Sequence, residues 1–426
     1  MSGLKGVIIT RGSLGAKVVA NEDAISALLV NGVAVAADSA NGIIGIALGE
    51  TVKLNSVKDA KSYGIDQNYD TTNNVRVFRH ISEFFRKSSE GYTLYLMLYS
   101  GTPEDALGDT YAKKMIAHSN GSIRMLALAY NPPVNYTPVM INGLEENVYN
   151  AISAAQEFYD WTFSSFRPCQ IIIEGRGFGA VNATAALDLR NIVITGGVLS
   201  AYKVSMCIAQ DYTYADNLDA IGKKFADVGT MLGCLAAKGV NLNIAEVEGG
   251  DISNPQKGYW TKAGLSNHQT IEDFEEELDS LDDKGYVFAI KYTGRTGVYW
   301  NNDHTCTPII QDEDGFFNEY TISYGRAHDK AVRNLRTVLL PKVKSTQPVD
   351  RTTGKLPSAI VTSFEKLGDT VFNKMEGAGE ISTGKTYIDA NSNLTIIPRI
   401  LNVSFVFVPT GQIDEIRGTI KIKTSI

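Results

Sequence analysis

The sequence is poor in cysteine and histidine for its length. Its 426 residues include only four cysteines, Cys169, Cys207, Cys234 and Cys306, and no two of them form a C-x-x-C pair. A disulfide framework or a zinc knuckle is therefore not expected, and we predict four reduced thiols in the core. The five histidines are scattered without a metal-ligand spacing, so no metal site is predicted.

Long apolar runs and an excess of positive charge are also lacking. No run approaches the length of a membrane span, and the N-terminus has no apolar core of a signal peptide. The net charge of -7 argues against a nucleic-acid surface over the whole molecule, although a local basic patch remains open. We expect a protein that is made and kept inside a cell, without membrane insertion and without a nucleic-acid partner.

Strand and helix patterns alternate in the first half of the chain. Apolar runs predict buried strands at residues 92–99, 123–130, 170–174 and 204–209. Amphipathic segments predict helices at residues 75–87, 103–118, 145–165 and 222–238. This alternation is typical of a parallel sheet that is covered by helices, an α/β architecture.

The second half is less regular, which favours an α+β class there. An acidic helix is predicted at residues 271–283, further helices at 324–340 and 358–375, and strand-like segments towards the end. The Gly-containing stretch at residues 249–258 marks the expected boundary. We therefore predict an N-terminal arm (1–20), an α/β domain (21–250), an α+β domain (251–410) and a C-terminal arm (411–426).

Both predicted arms carry strand patterns. Residues 403–409 are β-branched or aromatic, and after a turn the apolar residues of 416–423 alternate with polar ones. The apolar residues that we expect to form the strands of the two arms are Val7, Ile8, Ile9, Ile416, Ile420 and Ile422. A terminal strand has unpaired backbone groups until another strand lies beside it, either from its own chain or from a neighbour.

One predicted helix carries a strip of positive charge. Arg326, Lys330, Arg333 and Arg336 are three or four residues apart, which places them on roughly one face of the helix. The strip is either the solvated side of an ordinary helix or a surface that docks on an acidic partner.

Residues 379–386 satisfy the phosphate-loop pattern G-x-x-x-x-G-K-[ST], with Lys385 as its lysine. That loop should follow a strand and open a helix. Here a helix precedes the pattern and an extended segment follows it, so we interpret it as a chance match.

Residues 175–180, from Gly175 to Ala180, fit the dinucleotide pattern G-x-G-x-x-A directly after a predicted strand. The sequence offers no clear second strand that ends in a ribose-binding carboxylate. We favour a plain strand-to-loop connection, and a dinucleotide-dependent oxidoreductase stays open as an alternative.

Several segments of the C-terminal region together form a recognisable pattern. They are residues 325–341 (GRAHDKAVRNLRTVLLP), 353–356 (TGKL), the helix that ends at Gly377, the strand at 384–389, and 401–416 (LNVSFVFVPTGQIDEI). In these segments the chain resembles the contractile tail sheath proteins of phages and related contractile injection systems. The first half resembles this family only in general architecture.

The resemblance implies a structural subunit and no enzyme, with no cofactor. Such proteins polymerise around an inner tube, add their terminal arms to the sheets of neighbouring subunits, and contract by rigid-body rearrangement.

The implied partners are copies of the chain itself, an inner tail tube protein, and baseplate and terminator proteins. The four-residue basic strip would face the tube. The implied location is the bacterial cytoplasm during assembly, then a phage tail or an injection particle. A non-contractile tube or surface-layer protein remains an alternative.

Overall fold

The computed structural model describes residues 21–423. Its strands are β1 (Ser26–Asn31), β2 (Thr51–Leu54), β3 (Leu94–Tyr99), β4 (Met125–Ala129), β5 (Met140–Ile141), β6 (Leu144–Glu145), β7 (Gln170–Glu174), β8 (Val193–Ile194), β9 (Gly197–Val198), β10 (Val204–Cys207), β11 (Ala209–Asp211), β12 (Ala263–Leu265), β13 (Gln269–Thr270), β14 (Tyr286–Val287), β15 (Ala289–Ile290), β16 (Tyr299–Trp300), β17 (Ile381–Ile388) and β18 (Val403–Pro409). Its helices are α1 (Val57–Ser62), α2 (Gln67–Asn73), α3 (Val77–Ser88), α4 (Pro103–Ala106), α5 (Ala112–His118), α6 (Glu146–Ser164), α7 (Tyr212–Ala215), α8 (Val228–Ala237), α9 (Leu278–Asp283), α10 (Ile322–Leu339) and α11 (Ser358–Gly377).

Seven strands form the central sheet, in the order β14-β10-β7-β4-β1-β3-β2. All neighbours run parallel except the edge strand β2, which is antiparallel to β3. Along β1, Ala27 and Leu29 face one core while Leu28 and Val30 face the other. Successive side chains of a strand point to opposite faces, so a strand that is buried on both sides must be apolar throughout. The predicted helix-covered parallel sheet is confirmed.

Helices cover both faces of this sheet. The core on one side contains residues of α3 and α8, and the core on the other contains residues of α5 and α6. Two glycines bring α8 against α3. A Cβ atom added to Gly229 would lie 2.4 Å from the carbonyl oxygen of His80, and one added to Gly233 would lie 2.6 Å from that of Phe84. Any side chain at these positions would push the two helices apart.

Several predicted elements have different limits in the structure. The helix expected at residues 103–118 is divided into α4 and α5, and Thr102 caps the start of α4. The acidic segment begins as a 3-10 helix, Glu272–Glu277, before α9. The central sheet continues beyond residue 250 to β14, and the domain limits themselves stay predictions.

The C-terminal elements α10, α11, β17 and β18 share a small core of their own. Its members are Ala331, Leu335, Val371, Phe372, Met375 and Ile381. A buried ion pair connects α10 to the central sheet, because Lys203 Nζ lies 2.9 Å from Asp329 Oδ1 and the Tyr159 hydroxyl donates to the same oxygen at 2.9 Å. All four cysteines are buried and free, as predicted.

Candidate assembly interface

Three of the four basic side chains on α10 are held by the rest of the protein. Arg326 is only 4% exposed and donates hydrogen bonds to three main-chain carbonyls. Lys330 Nζ lies 2.7 Å from Asp23 Oδ2, and Arg333 Nη2 lies 2.6 Å from Asp23 Oδ1. Lys330 also pairs with Glu380, at the start of β17. The strip therefore gathers around one carboxylate, which lies in the short turn before β1.

The charge of Asp23 is stabilised by these partners. Burial alone would raise the pKa of Asp23, but the hydrogen bond from Lys330 and the positive charges of Arg333, Lys330 and Arg326 outweigh it and lower the pKa. Burial lowers the pKa of Arg326 to about 10, so the arginine stays protonated at neutral pH. The cluster is consequently an ion-pair network over the whole physiological pH range.

Arg336 differs from the other members of the strip. Its guanidinium carbon lies 3.5 Å from the ring centroid of Phe166, which follows the end of α6, and this is a cation–π contact. Contact between the strip and an inner tube stays a prediction. Because Arg326 is buried in this conformation, that contact depends on Arg336 and on the partly exposed Lys330 and Arg333.

The strands β17 and β18 form an antiparallel pair in the C-terminal unit. The helix α11 covers one face of the pair so closely that a Cβ atom on Gly384 would lie 2.4 Å from the Phe372 ring. Neither strand has a second neighbour among the described residues. At the outer edge of β17, the N–H groups of Thr386 and Ile388 donate to Asp369 and Glu365 of α11. The outer edge of β18 therefore presents the unpaired backbone N–H and C=O groups to which a further strand can add.

The segment after β18 leaves the body of the protein. Residues 410–423 form neither helix nor strand, and no backbone hydrogen bond joins them to other residues within 21–423. Ile416, Ile420 and Ile422 are 86%, 97% and 99% exposed. Exposed isoleucines gain free energy when an apolar surface covers them. The N-terminal strand residues Val7, Ile8 and Ile9 lie outside the described residues, so the role of both arms stays a prediction.

Sequence analysis does not single out Asp23. It also misses Ser323 and Asn243, which bind Gln412 of the C-terminal segment. Asp23 follows Glu22, and such an acidic pair is typical of any first helical turn. Its partner Arg333 is 310 residues away in the chain. Local patterns carry no signal for a contact over such a separation.

The phosphate-loop pattern lies on a strand. Residues from Ile381 to Ile388 pair with β18, and the helix α11 precedes them. Lys385 Nζ donates to Asp369 Oδ2 at 2.6 Å. Since no helix begins at this point, the segment offers no helix N-terminus to a phosphate. The expected order of helix before and strand after is confirmed.

We predict that Lys385→Ala leaves folding and assembly nearly unchanged. Lys385 is more than half exposed, and exposed ion pairs contribute little to stability. The melting temperature should stay within about 2 °C of the unchanged protein. Gly384→Val is the matched control, because its side chain would collide with Phe372 and should lower the melting temperature. Saturable ATP binding that is lost in Lys385→Ala would contradict this prediction.

The loop at residues 175–180 is occupied by the protein itself. The backbone N–H groups of Gly175, Gly177 and Gly179 donate to carbonyl oxygens of the surrounding chain at 2.8 Å each. Arg176 is 2% exposed and pairs with Glu145. The amides that would bind a pyrophosphate are thus already paired in this conformation, and no helix follows the loop before α7.

A buried carboxyl group lies where α10 begins. Asp303 is fully buried, and its Oδ2 accepts a hydrogen bond from the Ser323 N–H at 2.8 Å. Burial raises the pKa of Asp303 to about 7, and the hydrogen bonds from Ser323 oppose this only in part. Between about pH 4 and pH 7 the folded protein therefore binds a proton that the unfolded chain does not.

We predict that the free energy of unfolding falls as the pH rises from 5 to 8, and that Asp303→Asn reduces this slope. A raised carboxyl pKa favours the folded state at low pH, and this contribution is lost as pH rises through the folded-state pKa. Buried Asp70 and Glu174, whose pKa values are also raised to about 7, keep part of the slope in the variant. Urea titrations at several pH values test this, with the exposed Asp279→Asn as control. If the unfolding free energy of Asp303→Asn falls with pH as steeply as that of the unchanged protein, the raised pKa of Asp303 is contradicted.

The described residues contain no cluster of three metal-ligating side chains. Among the helices within 21–423, none is both long enough and apolar enough to cross a bilayer.

Two solved structures match the chain over almost its full length. One is a chain of the cryo-EM structure of the anti-feeding prophage (AFP) baseplate, 6-fold symmetrised, with 13% sequence identity, a TM-score of 0.58 and 100% coverage of both chains. The other is the AFP helical sheath in the contracted state, with 12% identity, a TM-score of 0.56, and 98% of this chain and 99% of that chain covered. The chain therefore has the sheath-like fold of a contractile injection system, and the resemblance found in the sequence is confirmed for the fold.

The sequence also places the chain in a family. The model of the DUF2586 N-terminal domain matches residues 12–304, and that of the DUF2586 C-terminal domain matches residues 320–426. The chain belongs to the DUF2586 family. No curated protein sequence matches it.

Proposed function

We propose that this protein is a structural subunit of a contractile sheath, which polymerises with copies of itself around an inner tube. The observation that carries the proposal is the pairing of two features in one chain. Beyond Gln412 the described segment leaves the body with exposed isoleucines, while β18 has an open outer edge. Because the backbone of residues 413–423 binds no other described residue, this part of the segment fits such an edge in a neighbouring copy.

This arrangement generates an open polymer. A donated strand and an accepting edge are different surfaces of the subunit, so each copy can bind one neighbour with its segment and receive another at its edge. Such heterologous contacts produce a ring when the rotation between neighbours closes, and an open helix, as proposed here, when it does not. The fold shared with the AFP helical sheath supports this form of assembly.

Contraction would then rearrange stiff bodies while the donated strands keep them connected. The close glycine contact between α3 and α8 and the buried Lys203–Asp329 pair favour a subunit that moves as one unit. The energy for contraction would be stored in the extended lattice during assembly. No bound nucleotide is needed, and we propose no enzymatic activity.

The proposed partners are an inner tail tube protein and, at the ends of the sheath, baseplate and terminator proteins. The similarity to a baseplate chain supports association with such a complex. The proposed location is the bacterial cytoplasm during assembly, followed by a phage tail or an injection particle.

We predict that Arg336→Glu impairs assembly on the tube more than it affects folding. Arg336 pairs with an aromatic ring rather than with a carboxylate, so its charge is available to an acidic surface. The substitution removes this cation–π contact of the half-buried Arg336, which is worth about 0.5–2 kcal/mol, whereas complementary charge governs docking. Co-sedimentation with the tube protein should fall while the melting temperature changes by a few degrees at most. Arg351→Glu, in an exposed turn, is the matched control. Normal co-assembly of Arg336→Glu would show that the helix faces elsewhere.

A dinucleotide-dependent oxidoreductase is the weaker alternative, because the amides of the loop at residues 175–180 are already paired. A non-contractile tube or surface-layer protein would share the donated strands but form cylinders of one diameter only.

Negative-stain electron microscopy of the purified protein tests the proposal directly. We expect hollow striated cylinders, in two diameters when contraction is triggered. A protein that stays monomeric at all concentrations, alone and with its tube protein, would overturn the proposed function.

A further inference from the structure

The two terminal segments are attached to the same helix where they meet the body. On the N-terminal side, Asp23 binds Lys330 and Arg333 through its carboxylate. Its main-chain carbonyl accepts a further hydrogen bond from Arg326 at 3.4 Å. Three successive turns of α10 therefore hold the point at which residues 1–20 join the described part of the chain.

On the C-terminal side, Gln412 binds the first turn of α10. Its Nε2 donates to Ser323 Oγ at 2.7 Å, and its Oε1 accepts from Asn243 Nδ2 at 3.2 Å. Beyond residue 412 the backbone makes no hydrogen bond to other described residues. Ser323 and Arg326 are about one helical turn apart, so both attachment points lie on neighbouring turns of α10.

The loop at residues 238–243, after α8, lies between the two attachment points. Arg326 donates to the carbonyls of Lys238 and Gly239, while Asn241 Nδ2 donates to Thr410 Oγ1 at 3.1 Å. The same loop thus contacts the helix that holds Asp23 and the residues that begin the C-terminal segment. Its own position is fixed by the tight packing of α8 on α3.

We infer that α10 and the loop at residues 238–243 form a clamp that sets where the two terminal segments leave the subunit. Asp23, Lys330, Arg333, Ser323 and Gln412 are its positioning residues. The inference rests on the proposed function, since the segments need fixed starting points only if they must reach neighbouring copies. A fixed starting point raises the effective concentration of a donated strand at the edge that receives it and reduces the entropy lost on binding.

The first test measures the clamp without assembly. Spin labels at Glu22→Cys and Gly411→Cys report the distance between the two starting points, and the native cysteines are buried. We expect a narrow distance distribution in the dilute, unassembled protein and a broad one after Asp23→Lys. The exchanged pair, Asp23→Lys with Arg333→Glu, should narrow it again. An unchanged distribution in Asp23→Lys would overturn the inference, whatever the protein assembles into.

The second test measures the consequence. Asp23→Lys and Gln412→Ala should each raise the protein concentration needed for cylinders about tenfold, and the exchanged pair should restore most of it. Glu313→Lys, in an exposed turn, is the control. Unchanged assembly in Asp23→Lys and Gln412→Ala would overturn the positioning role. So would an assembly defect that parallels the fall in melting temperature in every variant, because it would then reflect lost folding stability. Failure of the unchanged protein to form cylinders would refute the proposed function instead, while the spin-label distances would still decide whether the clamp exists.

Discussion

Deletion of residues 413–426 abolishes assembly and leaves the subunit folded. This is the expected result because residues 413–423 make no backbone hydrogen bond to the rest of the described chain, and their isoleucines are almost fully exposed. Among the described residues, the deletion removes no core side chain, and it retains Gln412. The melting temperature should therefore change by less than about 2 °C, while the concentration needed for assembly rises at least about a hundredfold. Circular dichroism and sedimentation give the two values.

Substitution provides a sharper version of the same experiment. In the full-length chain, Ile416→Ser, Ile420→Ser and Ile422→Ser together should reproduce the defect. Ile44→Ser with Ile396→Ser is the matched control, since these isoleucines are also exposed, at 58% and 64%. A truncated protein that still forms long cylinders would reject strand donation by this segment. A misfolded one would show that the segment belongs to its own body.

Arg79→Met is the substitution with the largest expected loss of stability. Arg79 Nη2 lies 3.0 Å from Asp227, 3.2 Å from Asp211 and 3.7 Å from Glu83, and each of these side chains is at most 6% exposed. The substitution removes the cation that holds three buried carboxylates together. Breaking such a network costs about 3–5 kcal/mol, which is a large share of the stability of a typical domain.

Urea denaturation followed by circular dichroism measures this loss. Adding Asp227→Asn to Arg79→Met removes one of the repelling charges, so the double variant should regain part of the stability. Arg86→Met is the control, because Arg86 contacts only Glu83 of the three carboxylates. If Arg79→Met is as stable as the unchanged protein, the prediction is wrong, and the three buried carboxyl groups must be neutralised by protons at no cost in stability.

The sequence predicts the long elements well and the interior strand β1 poorly. The helices α10 and α11 have an apolar face over many turns, and β18 is rich in β-branched and aromatic residues, so both patterns are visible locally. The strand β1 shows no alternation because both of its faces are buried. A short apolar run of this kind does not reveal whether it forms a strand, or that the strand lies between β4 and β3 in the sheet.

The basic strip illustrates a limit of a different kind. Its spacing correctly places the side chains on one helix, but spacing alone does not show what they face. Arg326 can be buried because the main-chain carbonyls of residues 238 and 239 and of Asp23 accept hydrogen bonds from its guanidinium group. Those acceptors come from distant parts of the chain, so only the folded structure brings them to the helix.

The strand order of the central sheet has a consequence for synthesis. After the first pairing of β1 with β3, each later strand of the sheet joins an edge that already exists: β4 joins β1, β7 joins β4, β10 joins β7, and β14 joins β10. A ribosome therefore delivers the strands in the order in which the sheet widens, and proteins commonly fold from the N-terminal side during translation. The segment with the exposed isoleucines emerges only after this sheet is complete. If this segment donates a strand as proposed, a growing chain carries no polymerising segment until its sheet can fold, and neighbouring nascent chains are kept from joining too early.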